Sequence, residues 1–214
     1  MQFNILTIFP KIFDSYFNES IIKRAQKKKK ITIKIHNFRK FASDKHKSVD
    51  DKPYGGGPGM LLKIEPIYKC LKSIKKIKKS RTILLTPKGK RFTQAKAKSL
   101  IKYDQLILVS GHYEGFDARI KKYVDEEIST GDYVLTGGEI PAMTIIDSVT
   151  RLLPGVLGDD QSSKDETFTK HKKYIEYPQY TRPEKFKGQA VPKILLSGNH
   201  VDIQAWRDKK ATNK

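Results

Sequence analysis

Short apolar segments alternate with helical patterns over the first three quarters of the chain, and this alternation limits the fold more than any other feature. The apolar segments lie at residues 3–9, 31–35, 82–85, 106–109 and 133–135. Strands that alternate with helices in this way are typical of an α/β domain with a mostly parallel sheet. We therefore predict that fold class, with these five segments as strands.

Three helices are indicated by the spacing of apolar residues. The first carries isoleucine and leucine three and four positions apart between residues 64 and 77, with Pro66 where a helix tolerates proline best. The second is expected at residues 141–153, because its apolar residues form one stripe that leaves Asp147 and Arg151 outside it. A last helix is expected from residue 199 to about residue 210.

The character of the sequence changes at residues 158–173, which are polar, charged and almost free of aliphatic side chains. Such a stretch predicts a mobile connector. It would join a main domain at residues 1–157 to a short C-terminal domain at residues 174–214.

The charge of the chain points to a partner. Lysine and arginine number 43 against 23 aspartates and glutamates, which gives a formal net charge of +20. A field of this size attracts a polyanion and holds it by counterion release, so nucleic acid is the expected partner. Because 35 of these cations are lysine and only 8 are arginine, the arginines carry more information about function.

Cysteine and hydropathy restrict the compartment. Cys70 is the only cysteine, so neither a disulfide framework nor a thiolate metal cluster can form within one chain. No segment reaches the roughly 18 consecutive apolar residues of a membrane span, and the N-terminus lacks the basic lead of a signal peptide. We expect a soluble cytoplasmic protein.

Glycine-rich loops are the first candidates for a binding site. Residues 53–60 hold four glycines, which let backbone amides approach a ligand closely, although a tight structural turn would also use them. Further loops follow predicted strands at residues 86–89, 110–117 and 130–139. Because ligands of open α/β sheets bind outside the carboxyl ends of the strands, these three loops should converge on one pocket, unless each is an ordinary turn.

Two common nucleotide-binding motifs are absent. No Gly-Lys-Ser/Thr follows the glycines at residues 53–60, which argues against a nucleoside triphosphate site. The dinucleotide signature is also missing after the first strand, so a conventional Rossmann methyltransferase or dehydrogenase is not expected.

Candidates for acid-base chemistry are few. They are His46, His112, Asp165, Glu166 and His171, with Arg151 as a cation. A lone histidine is more often structural than catalytic, and no histidine pair has the spacing of helical metal ligands. We therefore predict no catalytic metal held by the protein.

Several motifs in fixed order resemble the bacterial TrmD family, the tRNA (guanine-N(1)-)-methyltransferases. The motifs are VDDKPYGGGPGM at residues 49–60, GHYEG at 111–115, GDYVL at 131–135, GGE at 137–139, PGVLG at 154–158, YTRP at 180–183 and LSGNH at 196–200. The resemblance covers the chain from Met1 to about Arg207.

The resemblance implies a fold and a cofactor. It implies a SPOUT methyltransferase, whose mostly parallel sheet is threaded into a trefoil knot, acting as a homodimer on tRNA with S-adenosylmethionine held in the knot. The cofactor contacts it implies are Leu85, Pro87, Gly111, Tyr113, Glu114, Thr130, Gly131, Asp132, Tyr133, Val134, Leu135, Gly137 and Gly138. For the target guanine, on the 3′ side of the anticodon, it implies Asp50, Gly59 and Met60.

The implied reaction needs a base, because the ring nitrogen that accepts the methyl group is protonated in neutral guanine. The family places an aspartate directly before a Ser-Phe pair, whereas here Glu166 precedes Thr167 and Phe168, with Asp165 one residue earlier. Both carboxylates are candidates. Glu166 keeps the register and is favoured, while Asp165 keeps the residue type. Arg151 occupies the family position for stabilising charge on the purine oxygen.

Three expectations stay open at the level of sequence. Relatives continue beyond the point where this chain ends, which predicts a shortened C-terminal domain with weaker hold on tRNA. The resemblance also implies that magnesium promotes removal of the proton, although the sequence shows no cluster of ligands to bind the ion. The alternatives are another SPOUT enzyme with a different RNA target, and a basic RNA-binding protein with impaired catalysis.

Overall fold

The computed structural model describes residues 1–158 and 166–213. The chain divides into two compact units, Met1–Gly158 and Asp159–Lys214. Asp165, one of the two candidate bases, lies outside the described residues.

The first unit holds the elements that alternate between strand and helix. Its strands are β1 (Gln2–Thr7), β2 (Thr32–Asn37), β3 (Asp50–Asp51), β4 (Leu61–Leu62), β5 (Ser80–Arg91), β6 (Gln105–Ser110) and β7 (Glu126–Ser129). Its α-helices are α1 (Asp14–Phe17), α2 (Ser20–Lys27), α3 (Ile64–Ser73), α4 (Gln94–Leu100) and α5 (Glu139–Thr150), and short 3-10 helices occupy Pro10–Phe13, Phe38–Phe41 and Ala118–Tyr123.

A parallel sheet forms the centre of this unit. Its strand order is β2-β1-β6-β5-β7, and every neighbouring pair is parallel. The predicted α/β class with a mostly parallel sheet is therefore confirmed. Threading of the chain through a knot stays a prediction of the family resemblance.

Both faces of the sheet are covered, which explains the continuous apolar runs in the sequence. Side chains alternate along each strand, so Leu106 and Leu108 of β6 face one core and Ile107 and Val109 face the other. The first core includes residues of α1, α2, α4 and α5, and the second includes residues of α3 and of two 3-10 helices. Helices thus lie on both sides of one sheet.

The predicted strand at residues 133–135 is wrong. Those residues form a loop in which Val134 is 83% exposed, and the fifth strand is β7, Glu126–Ser129. The two glutamates of β7 obscured it, because charged residues are uncommon in a strand that pairs within a core. Glu126 is tolerated there since Arg81 Nε lies 3.0 Å from its Oε1 and Lys96 pairs with its other oxygen.

The predicted helices are present with shifted ends. The first apolar stripe forms α3, which stops at Ser73, so Ile74 is buried just after the helix and Ile77 lies exposed beyond it. The second predicted helix is α5, which begins two residues earlier than expected, at Glu139, and ends at Thr150. Arg151 is its C-cap residue.

The second unit is smaller and has shorter elements. Its described part contains β8 (Tyr174–Ile175), β9 (Lys185–Phe186), β10 (Gln189–Ala190), a 3-10 helix (Lys193–Leu196), α6 (His200–Lys210) and β11 (Thr212–Asn213). The side chain of Asn199 accepts from the amide of Val201 at 3.1 Å and so caps α6, where the last helix was predicted.

No helix of the described residues is long and apolar enough to cross a membrane.

Candidate active site

Two loops follow the carboxyl ends of β6 and β7, as the strand-end argument predicts, and another interrupts β5 after Leu85. We call them the first loop (residues 86–89), the second loop (residues 111–117) and the third loop (residues 130–138). The first loop is an excursion within β5, because Ile128 of β7 pairs with Leu85 before it and with Lys90 after it. Gly89 is required where the chain returns, since a Cβ there would lie 2.5 Å from the backbone nitrogen of Ile128.

The second and third loops are joined through their backbones. The amide of Gly138 donates to the carbonyl of Gly111 at 2.8 Å, and His112 forms an antiparallel bridge with Gly137. A Cβ on Gly138 would stand 2.7 Å from the Cα of Ser110, closer than real Cβ atoms approach backbone. Glycine is needed there because the two chains run in direct contact.

A buried carboxylate lies next to the junction of the second and third loops. Glu139, only 3% exposed, accepts a 2.7 Å hydrogen bond from the hydroxyl of Thr7 at the end of β1. Its other oxygen lies 3.9 Å from Nδ1 of His112, a buried atom without a hydrogen-bond partner among the described residues. The ring of His112 packs edge-on against Phe9, with centroids 4.8 Å apart. Glu139 therefore connects β1 to the second loop.

A side chain at the end of β5, beyond the first loop, contacts the third loop. Arg91, at the end of β5, donates to the Asp132 carboxylate at 3.0 Å. The hydroxyl of Ser129 donates to the carbonyl of Gly131 at 2.8 Å and holds the start of the third loop in a tight turn. The second and third loops are thus joined to each other, and the end of β5 is joined to the third loop.

The glycine-rich loop at residues 53–60 reaches this structure too. The amide of Glu114 donates to the carbonyl of Met60 at 3.0 Å. Gly59 has a φ of +79°, and a Cβ there would lie 2.3 Å from Cγ of Glu114. The structure therefore places two residues implied for guanine binding against one implied for cofactor binding. Asp50, the third residue implied for guanine, lies in β3 opposite Leu62.

Exposed side chains of the loops offer surfaces to a ligand. Tyr133, Val134 and Leu135 are 55%, 83% and 36% exposed, which is unusual for apolar residues beside a closed core. Tyr113 is 44% exposed and has a φ of +59°, a left-handed conformation that is uncommon for a residue other than glycine. These positions present open apolar and aromatic surface, which suits a purine ring.

The implied catalytic residues fall in different units. Arg151 lies at the end of α5 in the first unit, and Glu166 lies in the second. The carbonyl of Glu166 accepts from the amide of Thr169 at 3.0 Å, which places Glu166 at the start of a turn. Their meeting at one site stays a prediction, as does the role of Asp165.

The remaining histidine candidates lie elsewhere. His46 is exposed in a turn where its amide donates to Asp44, and His171 packs against Tyr174 in the second unit. Across residues 1–158 and 166–213, no group of three or more histidine, cysteine, aspartate or glutamate residues is placed to hold a metal ion.

Sequence reasoning missed the supporting residues of the site. Thr7 and Phe9 contact Glu139 and His112 although more than a hundred residues separate them in the chain. Their only signal was position, because both lie among the last three residues of the strand predicted at residues 3–9. Arg91 gave a second signal, as one of only 8 arginines.

Comparison with known proteins identifies the family. The family model described as tRNA (Guanine-1)-methyltransferase TrmD matches residues 1–214. Two similar proteins, both named tRNA (guanine-N(1)-)-methyltransferase, come from Staphylococcus aureus strains JH9 and Newman. Each is 50% identical to this chain over 211 residues, which covers 98% of this chain and 85% of the relative. The match spans both units and every loop of the candidate site, so the chain belongs to the TrmD family of tRNA (guanine-1)-methyltransferases.

Proposed function

We propose that this protein transfers a methyl group from S-adenosylmethionine to N1 of the guanine on the 3′ side of the anticodon in tRNA. The observation that carries the proposal is the contact between the glycine-rich loop and the second loop. There, the hydrogen bond from Glu114 to Met60 joins the residues implied for guanine to those implied for the cofactor. A chain of +20 net charge suits an RNA substrate.

The residues present fit the proposed cofactor. The third loop presents exposed side chains at Tyr133, Val134 and Leu135, and the second loop presents Tyr113. These side chains offer apolar faces for a purine ring. When bound, S-adenosylmethionine supplies an electrophilic methyl group on a positively charged sulfur that leaves as a neutral thioether.

The chain would supply proton transfer and charge stabilisation. The carboxylate of Glu166, or of Asp165, takes the N1 proton, so that the nitrogen lone pair is free to form the new bond to carbon. Negative charge that develops on the purine oxygen is met by the guanidinium of Arg151. The glycine-rich loop and the second loop hold the two reactants in line.

We further propose that the active enzyme is a homodimer whose subunits share each site. The 3-10 helix at Pro10–Phe13 packs against α5, and these neighbouring elements leave Ile12 46% and Ile140 59% exposed. Exposed apolar surface of this kind favours association with another copy. Phe9 extends the surface to His112 of the second loop. In the shared site, one subunit would hold the cofactor and the other would supply the connector residues.

Calorimetry and single-turnover methylation test the function. The protein should bind S-adenosylmethionine and methylate a tRNA transcript, but leave a transcript with adenine in place of the target guanine unmodified. Methylation of that altered transcript would identify a different RNA target. Cofactor binding without methylation of any transcript would identify an impaired RNA-binding protein. Repeating the assay with EDTA tests the implied role of magnesium.

Two variants assign the base. Glu166→Gln should slow transfer by about 100-fold or more if Glu166 is the base, because a positioned base contributes 10²–10⁴-fold. Asp165→Asn should then have a small effect. Glu19→Gln, an exposed position on the first unit that pairs with Lys23, is the control and should leave the rate unchanged. If neither connector variant slows transfer, the proposed base is wrong.

A further inference from the structure

Two neighbouring cavities lie beside α3, and one of them reaches the glycine-rich loop. One has a volume of about 860 Å³ and includes Tyr54 of that loop in its lining. The other, of about 310 Å³, lies between α3 and the 3-10 helix at Ala118–Tyr123. Ile64, Glu65 and Arg119 line both cavities, so the two are neighbours, and we call them together the groove.

Aromatic rings line this groove at intervals. Tyr68 of α3 and Tyr123 of the 3-10 helix pack together with ring centroids 4.7 Å apart, and both line the smaller cavity. Tyr123 is 44% exposed, and Tyr54, in the larger cavity, is fully exposed. A tyrosine pair buried on one side and open on the other offers a ring face on which a base can stack.

Cations surround the tyrosine pair. Lys122 and Arg119 line the smaller cavity, and Nζ of Lys72 lies 5.7 Å from the centre of the Tyr68 ring. Glu65 is the acidic residue in that lining. The side chain of Arg119 is held by Asp117, with Nε to Oδ1 at 2.9 Å and Nη2 to Oδ2 at 2.5 Å. This pairing orients the guanidinium and offsets its charge, so the positive charge around the tyrosine pair comes from Lys72 and Lys122.

The larger cavity is less favourable to phosphate. Its lining carries four acidic residues against three basic ones: Asp44, Asp51, Glu65 and Asp117 against Lys52, Lys63 and Arg119. The smaller cavity is therefore the part of the groove whose charge suits a nucleic acid backbone. Stacking surface and positive charge coincide there, the combination by which proteins bind single strands without reading their sequence.

We propose that Tyr68, Tyr123, Lys72, Arg119 and Lys122 form an auxiliary surface that binds one or two unpaired nucleotides of the RNA substrate. The proposal rests on the proposed function, because it takes the RNA to be the molecule whose guanine enters beside Gly59 and Met60. The surface adds affinity for the RNA next to the reacting base and takes no part in methyl transfer.

Equilibrium binding of a fluorescent tRNA transcript tests the surface. Tyr123→Ala should raise the dissociation constant for tRNA about tenfold, the expected loss of one stacked base. Tyr123→Trp should keep binding within about twofold, because it keeps a stacking face. Lys122→Gln should weaken binding and lower the slope of log affinity against log salt by about 0.7.

Lys121→Gln is the matched control, since it removes the same charge one residue away from the groove. Lys121 is exposed and pairs with Glu127 at 3.0 Å outside the cavity lining, so its substitution should leave tRNA affinity nearly unchanged. All four variants should bind S-adenosylmethionine as the unaltered protein does.

The outcomes separate this inference from the proposed function. If the unaltered protein methylates tRNA while Tyr123→Ala and Lys122→Gln bind tRNA normally, the auxiliary surface does not exist and the function stands. Equal weakening by Lys121→Gln and Lys122→Gln overturns the surface in favour of a diffuse field. A fall in molecular mass for Tyr123→Ala in sedimentation overturns it in favour of a protein interface. If the unaltered protein binds cofactor and methylates nothing, the proposed function itself fails.

Discussion

Two buried threonines differ in what their hydroxyls do. Thr7 of β1 and Thr82 of β5 are both fully buried in the parallel sheet. The hydroxyl of Thr7 donates to Glu139 at 2.7 Å and accepts from the amide of Phe9 at 2.9 Å. That of Thr82 has no hydrogen-bond partner among the described residues. Because valine has almost the same shape as threonine, replacing threonine by valine isolates the contribution of each hydroxyl to the free energy of unfolding.

We predict opposite effects for these two substitutions. Thr7→Val should lower the free energy of unfolding by about 2–3 kcal/mol, because it removes a hydrogen bond from a buried carboxylate and another from a backbone amide. Thr82→Val should be neutral or stabilising by up to about 1 kcal/mol, since no bond is lost. Urea denaturation of both variants measures the difference. Equal losses would mean that the bond between Thr7 and Glu139 contributes nothing.

Glycine substitutions test the junction of the second and third loops. Gly138→Ala places a Cβ 2.7 Å from the Cα of Ser110, so the backbones must separate. We expect a loss of roughly 1–3 kcal/mol in stability from this overpacking and weaker binding of S-adenosylmethionine. Gly158→Ala is the control, because a Cβ there meets nothing within 4 Å. Thermal melts and calorimetry should show a change for Gly138→Ala alone, and unchanged cofactor affinity would remove this junction from the binding site.

At the scale of elements, the edge strand β2 contains a histidine whose charge opposes folding. His36 Nε2 lies 2.9 Å from the side-chain oxygen of Asn4 on β1. Burial lowers the pKa of His36 below its usual 6.5, and the charge of Lys34 lowers it further. Below pH 6.5 the unfolded chain therefore binds a proton more readily than the folded chain does.

The free energy of unfolding should consequently fall as the pH drops through 6.5 towards the lowered pKa of His36. Above pH 6.5, where His36 is neutral in both states, this loss of stability is absent. His36→Gln should flatten this part of the profile, while the exposed control His46→Gln should keep it. Denaturation midpoints measured between pH 7.5 and 5.5 give the slopes. A profile that is equally steep without His36 would show that another group causes the loss.

The elements that sequence alone could predict are those with a simple apolar pattern. Strands β1, β5 and β6 contain buried apolar runs, β2 alternates between apolar and polar residues, and α3 and α5 have clear stripes, so periodicity was enough. β7 escaped because Glu126 is stabilised by Arg81 and Lys96, which are 45 and 30 residues away in the chain. Pairings at that separation cannot be read from a local window.

The same limit applies to the candidate site. Glycine density and position after strands predicted that the three loops would converge, because the edge of a parallel sheet fixes where strand ends lie. The contact of Gly59 with Glu114 depends on a close approach of two backbones, which no spacing in the sequence reveals. The contact between Tyr68 and Tyr123 could not be predicted from the sequence either, because the two residues are 55 positions apart.

At the scale of the whole molecule, the proposed homodimer can be tested through the way its subunits would share each site. If each site takes its cofactor loops from one subunit and its connector from the other, a fault in either part can be complemented. Gly138→Ala damages the cofactor loops, and Glu166→Gln removes the proposed base. A dimer that contains one subunit of each kind then has one site with both faults and one site with none.

We therefore predict that two inactive proteins form an active heterodimer. The assay uses a concentration of S-adenosylmethionine that is too low for the Gly138→Ala variant to bind it. Under this condition each variant alone should methylate tRNA slowly. The heterodimer, isolated through two different affinity tags, should recover about half the rate of the unaltered dimer, because one of its two sites is intact. As a control for the tags, a dimer in which both subunits carry Glu166→Gln is isolated through the same two tags. If the mixed dimer is as slow as its parents, each site is built within a single subunit, since every subunit then carries one of the two faults.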